Sequence, residues 1–173
     1  MKILDLKFLP NVYVGIVSFN RGDLSVDDII SSIKMGDIIV AILSRKAVIS
    51  DNQILNAVYN YMNMIDFHKW IRNKGLRLLA LIVGERQIDK ALKIANVDDQ
   101  ELILIAVSDN IERFNELIDT LRRLNVQIYD TVKYAKPEEF SMLYSFKSKN
   151  SNELELDILR KQAMLRIEIY KAF

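Results

Sequence analysis

The sequence predicts an α/β fold, read as one domain over residues 1–173 with a central mixed β-sheet, helices packed on it and a long C-terminal helix. Three observations carry that expectation. Short apolar, β-branched runs alternate with stretches of helical period through the middle of the chain. The connections between them are short, so successive elements pack as layers. Residues 153–172 run at helical spacing with no Gly or Pro to interrupt them.

Taken in order, Lys2–Phe8 and Val12–Val17 read as strands around the turn Leu9-Pro10-Asn11, which makes a hairpin. Phe19–Asp23 reads as loop. Ser25 caps a helix with Asp27 and Asp28 in its first turn, reaching about Lys34 before Gly36. Asp37–Leu43 is a buried strand and Ala47–Ile49 a short β segment. Ser50 or Asp51 starts a helix with Ile54, Leu55, Val58, Tyr61 and Met62 on its inner face. Met64–Lys74 is ambiguous, with a short helix around Phe67–Ile71. Leu76–Val83, closed by Gly84, reads as a buried strand, Arg86–Ile94 as a helix and Leu102–Val107 as another strand. Asp109 and Glu112 hold capping-box positions for a helix whose stripe is Ile111, Phe114, Leu117, Ile118, Leu121 and Leu124. Val126–Tyr129 is a last short strand. Pro137 opens a helix, Ser148–Asn152 is polar loop, and Glu153–Ala172 is the terminal helix.

Composition narrows the function. Of 173 residues half are hydrophobic, enough for a core, and five Gly with two Pro leave little linker. Cys is absent, which removes disulfides, thiolate metal sites and a cysteine nucleophile, and suits a reducing, cytoplasmic setting. Lys plus Arg total 24 and Asp plus Glu 23, so a nucleic acid would have to be held by a local patch. Neither a signal peptide nor a membrane span is expected.

Catalytic groups are sparse. His68 is the sole histidine, in Asp66-Phe67-His68-Lys69-Trp70, and reads as a structural side chain. Asp27-Asp28, Asp98-Asp99 and Glu138-Glu139 look like helix starts or turns rather than metal ligands. Gly15, Gly22, Gly36, Gly75 and Gly84 are too scattered for a phosphate loop. No catalytic residue, metal or cofactor is expected, and the chain reads as a binding protein rather than an enzyme. A regulatory domain for a small molecule and a carboxylate-dependent hydrolase stand as alternatives.

Two features point to partners. On the terminal helix, Leu154, Ile158, Leu165 and Ile169 share one side, while Leu156, Leu159, Ala163, Ile167 and Tyr170 share nearly the opposite one, with Gln162 among the polar residues between. One stripe suffices to rest on a domain. A second left in water forgoes about 1.5–3 kcal/mol per large aliphatic side chain, so it either packs inside the fold or meets another protein. The second feature is basic: Lys69, Arg72, Lys74 and Arg77 around Gly75, with Phe67 and Trp70 nearby, then Arg86, Lys90 and Lys93. Cations beside aromatics suit single-stranded RNA. The plainer alternative is a solvated face with Trp70 in the core.

From Ala47 to Val107 the chain resembles the PRPK-binding protein (TPRKB) family of small KEOPS-complex subunits, archaeal type. The resemblance rests on Ala47-Val48-Ile49-Ser50, the helix with Ile54-Leu55-Asn56-Ala57-Val58, the helix Arg86-Gln87-Ile88-Asp89-Lys90-Ala91-Leu92 and the strand Leu102–Val107. The Gln-Ile-x-x-Ala-Leu arrangement is its most specific piece. Gln53 stands where archaeal relatives often have His, and Ala95-Asn96 where they have Gly, a position Asn96 can fill in the left-handed conformation. The resemblance implies a non-enzymatic subunit that binds the small lobe of the complex's atypical kinase, an ATPase. It implies indirect association with the transferase and dimerisation subunits, and help in recruiting tRNA by its 3′ CCA end for N6-threonylcarbamoyladenosine formation.

Overall fold

The computed structural model describes residues 1–6, 9–33, 36, 38–64 and 71–172. The expectations that involve Phe8, Lys34, Asp37, Phe67, His68, Lys69 and Trp70 therefore lie outside the described residues. The chain forms two compact units, each built from two separate stretches: Met1–Arg45 with Val97–Lys133, and Lys46–Asn96 with Tyr134–Phe173.

The first unit holds a five-stranded sheet: β1 (Lys2–Asp5), β2 (Tyr13–Asn20), β3 (Ile39–Ser44), β4 (Glu101–Ser108) and β5 (Gln127–Ile128). The order is β1-β2-β4-β3, with β5 beside the end of β2. Every ladder among the described residues is antiparallel, where a mixed sheet was expected. The expected hairpin is present, with Asn11 at φ 65° in its turn. The β2–β4 ladder is the longest, from Tyr13 opposite Ser108 to Asn20 opposite Glu101. It carries β2 through Phe19 and Asn20, which read as loop in the sequence.

α1 (Val26–Ser32) begins at the expected cap. The Ser25 hydroxyl accepts from the Asp28 amide at 3.1 Å, and the Asp28 carboxylate accepts from the Ser25 amide at 3.2 Å. α5 (Glu112–Arg123) buries Phe114, Leu117 and Leu121 in a cluster with Val17, Phe19, Ile42, Leu102 and Leu104. A Cβ on Gly15 would lie 2.9 Å from the Phe114 ring, so glycine is what lets this helix approach the sheet. Two details of α5 differ from expectation. Ile111 is exposed, and Asn110 rather than Asp109 accepts the Glu112 amide, at 2.9 Å.

Asp98-Asp99 is a turn held from several sides. Arg21 donates to the Asp98 and Asp99 carbonyls at 2.9 and 3.1 Å. The Asp99 carboxylate accepts from Ser44 Oγ and the Gln100 amide, both at 2.9 Å. Glu101 accepts from Arg45 Nε at 2.6 Å and from the Tyr129 hydroxyl at 3.2 Å, with Lys133 Nζ at 3.9 Å. The Arg45 hydrogen bond holds the Glu101 carboxyl below the usual carboxylate range.

The second unit is helical: α2 (Asp51–Asn63), α3 (Lys74–Val83), α4 (Ile88–Ala95), α6 (Pro137–Tyr144) and α7 (Ser151–Ala172). Two expected strands are corrected here. Ala47 ends a 3-10 turn (Arg45–Ala47) rather than opening a strand. Its carbonyl is spoken for by side chains, accepting from Gln53 Nε2 at 3.0 Å and the Tyr144 hydroxyl at 2.9 Å.

Leu76–Val83 belongs to α3. Residues 78–83 are all buried, so the run shows no polar face and its period is unreadable. The capping residues carry the signal instead. Asn73 Oδ1 accepts from the Leu76 amide at 3.0 Å, and Gly84 closes the helix at φ 66°. α2 starts at Ser50 as expected, but Met62 is exposed, while Gln53 and Asn60 are buried beside Ile54, Ala57 and Val58. Asn96 ends α4 in the left-handed conformation, φ 42°. No described helix is long and apolar enough to cross a membrane.

Candidate partner interface

α7 is the longest described helix, and how it is fixed determines what it offers. Leu154, Ile158, Leu165 and Ile169 are all buried, as the sequence indicates. Gln162 is buried in the same row, not among the polar residues between the stripes. Its position four after Ile158 and three before Leu165 was the available signal.

A buried amide needs partners, and Gln162 has them. Its Nε2 donates to the Gln53 and Ile82 carbonyls at 3.0 and 2.9 Å, and its Oε1 accepts from Asn56 Nδ2 at 2.7 Å. Gln53 forms a matching set: Nε2 donates to the Ala47 and Ile82 carbonyls, both at 3.0 Å, and Oε1 accepts from the Ile49 amide at 2.9 Å.

These bonds solve the problem at the end of α3, whose last carbonyls have no intrahelical donor. The Ala80 and Leu81 carbonyls accept from the Gly84 amide, and Ala80 also accepts from Glu85. The Ile82 carbonyl takes both glutamines. The Val83 carbonyl faces Lys161 Nζ at 3.4 Å. Burial lowers the Lys161 pKa, opposed by Glu85 at 3.6 Å.

Polar bonds also set α7 beside α2, the two running parallel. Ser50 donates to Glu155 at 2.5 Å, Asn56 to Gln162, and Arg166 to Asn60 at 3.3 Å. The sequence separation is nearly constant along the pair, which is the sign of parallel neighbours.

With one face committed, the other stripe lies in solvent. Leu156 is 52% exposed, Ile167 47% and Tyr170 56%. Ala163 is exposed and Leu159 half-buried. The Arg166 guanidinium sits 5.7 Å from the Tyr170 ring centre. Met164, also exposed, widens the apolar surface and was not singled out in the sequence.

The basic residues do not form one loop. Arg72 is exposed before α3 and Lys74 exposed at its first position, while Arg77 is a helical residue one turn on. Arg77 is half-buried, its guanidinium 5.2 Å from the Tyr61 ring centre, and its Nε has no hydrogen-bond partner among the described residues. Burial raises the Tyr61 pKa, with Arg77 pulling the other way. Arg86 lies beyond the far end of α3, which is about 15 Å long. Lys90 and Lys93 are exposed on α4, three residues apart and thus on one face. Lys69 is outside the described residues. Arg72 and Lys74 are thus exposed at the start of α3, Arg86 past its end, and Lys90 and Lys93 on α4. Neither a family model nor a curated protein matches this sequence.

Proposed function

We propose that this chain is the non-enzymatic small subunit of an archaeal-type KEOPS complex, acting in the cytoplasm. In this reading the outer stripe of α7 (Leu156, Leu159, Ala163, Ile167 and Tyr170) meets the small lobe of the atypical kinase/ATPase subunit. The transferase and dimerisation subunits are reached through that kinase. The exposed basic residues Arg72, Lys74, Arg86, Lys90 and Lys93, with Lys69 and Arg77 beside them in sequence, contact the tRNA whose adenosine is modified. The reading is supported by one observation above all: an apolar stripe on a helix fixed along its opposite face by a fully hydrogen-bonded polar network. A surface held in place before binding loses little ordering entropy on association, and burying its large side chains provides the driving force.

The test is calorimetric titration of the kinase subunit with the chain and with Ile167→Glu and Tyr170→Ala. Both positions are exposed, so folding is retained. Loss of a central apolar contact costs about 2 kcal/mol or more, roughly a thirtyfold weakening. Unchanged affinity in both variants refutes the kinase assignment. For tRNA, Arg72→Glu with Lys74→Glu is expected to weaken binding and flatten its salt dependence, and removal of the 3′ CCA end to weaken it further. Indifference to both changes refutes the recruitment role.

A further inference from the structure

The order of side chains along the α7 stripe carries information beyond its apolarity. Leu156, Leu159, Ala163, Ile167 and Tyr170 follow at intervals of three, four, four and three residues. That series reads the same from either end, with its smallest member at the centre. Leu156, Ala163 and Tyr170 are also each seven residues apart, the repeat that keeps a seam facing a neighbouring helix at a shallow crossing angle.

We propose that this seam takes a second copy of the same chain, packed antiparallel about a two-fold axis at Ala163. The axis sets Leu156 of one copy against Tyr170 of the other, Leu159 against Ile167, and Ala163 against its own equivalent. A two-fold interface must be complementary to itself, and a palindromic seam meets that demand. Alanine at the crossing point lets the helix axes approach to the close end of their usual range, about 8 Å.

Charge selects the antiparallel sense. The first part of α7 carries Glu153, Glu155 and Asp157 and no base, whereas the remainder carries Arg160, Lys161, Arg166 and Lys171 against Glu168. At 100° per residue, Glu153, Asp157 and Lys171 lie on the same side of the seam. Reversal about Ala163 brings Lys171 of one copy level with residue 155 of the other, between Glu153 and Asp157. Within one chain Asp157 holds Arg160 at 3.3 Å, and Glu153 accepts from Ser148 at 2.5 Å. Both carboxylates are exposed or half-exposed, with room for a further cation. A parallel pairing would set acid against acid and base against base.

Self-association through this seam needs no other subunit. The two occupants claim one surface, so a heterologous partner competes with self-association.

Sedimentation equilibrium of the purified chain tests it. A seam of this size is expected to self-associate weakly, with a dissociation constant of about 1–100 µM. Ala163→Arg, at an exposed helical position, is expected to give a folded monomer. The sharper measurement is a charge exchange. Lys171→Glu alone, and Glu153→Lys with Asp157→Lys alone, each set like charges against one another and weaken the homodimer. Mixed, the two variants restore opposite pairs at both ends and form a heterodimer about tenfold tighter than either homodimer. A chain that remains monomeric up to about 1 mM overturns the proposal. So does a dimer indifferent to Ala163→Arg, or variants whose mixture binds no better than each alone.

Discussion

The Ile82 carbonyl at the end of α3 accepts from two glutamine side chains, one on α2 and one on α7, and this sharing has a measurable signature. Replacing Gln162 by Leu removes its donations to the Gln53 and Ile82 carbonyls and its acceptance from Asn56. A net hydrogen bond contributes about 0.5–1.5 kcal/mol. Three of them, less the apolar gain of a buried leucine, leave a loss of about 1–3 kcal/mol. Gln53→Leu also removes three bonds and is expected to cost a similar amount. In each single variant the Ile82 carbonyl keeps one donor. In the double variant it keeps neither, and a buried acceptor without a partner costs about 1–3 kcal/mol. The double variant is therefore expected to lose more than the sum of the singles, by about 1–2 kcal/mol. Urea unfolding followed by circular dichroism on the four proteins closes the cycle. Additivity within about 0.5 kcal/mol would refute shared capping of Ile82 as a source of stability.

Two further predictions concern stability. Gly84→Ala forces a side chain into φ 66° with its Cβ 3.2 Å from Lys161 Cγ and 3.3 Å from the Gln162 amide nitrogen. It is expected to lower stability by about 1–3 kcal/mol, read as a fall in Tm of several degrees. Glu101, held below its ordinary pKa of 4.5 by Arg45, binds protons less readily folded than unfolded. Its contribution is whole above that ordinary value and is lost as pH falls through the lower folded one. The stability gap between the chain and Glu101→Gln should therefore be full at neutral pH and close in acid. A gap that does not change with pH would show that the Arg45 pairing is not its source.

The legible parts of the fold were those with a free face or a distinctive cap. The hairpin, the Ser25 and Ser50 caps, the Asn96 terminus and both stripes of α7 follow from period 2, period 3.6 or a residue suited to one backbone position. α3 failed because total burial erases amphipathic period, and Leu and Ile runs then read as strand as easily as helix. Asn73 and Gly84 mark its two ends, and length between caps decides such cases better than hydrophobicity. Gln53 and Gln162 were missed for the converse reason. A polar side chain reads as solvent-facing unless the backbone acceptors it serves are known, and those belong to another helix. The basic residues were legible in number but not in placement, because α3, which carries Lys74 and Arg77, was read as a strand.

Both units are discontinuous in sequence, since the chain passes from one to the other at residues 45–46, 96–97 and 133–134. No single uninterrupted fragment contains one unit whole without also carrying part of the other. During synthesis β2 must wait for β4, whose Ser108 lies opposite Tyr13 and Glu101 opposite Asn20, and the α3 terminus must wait for Gln162. Deletion series, the usual way to assign a binding activity to part of a protein, would therefore sever one body or the other at every cut. Point substitutions at exposed positions, or residues 46–96 spliced directly to 134–173, are the dissections this chain layout permits.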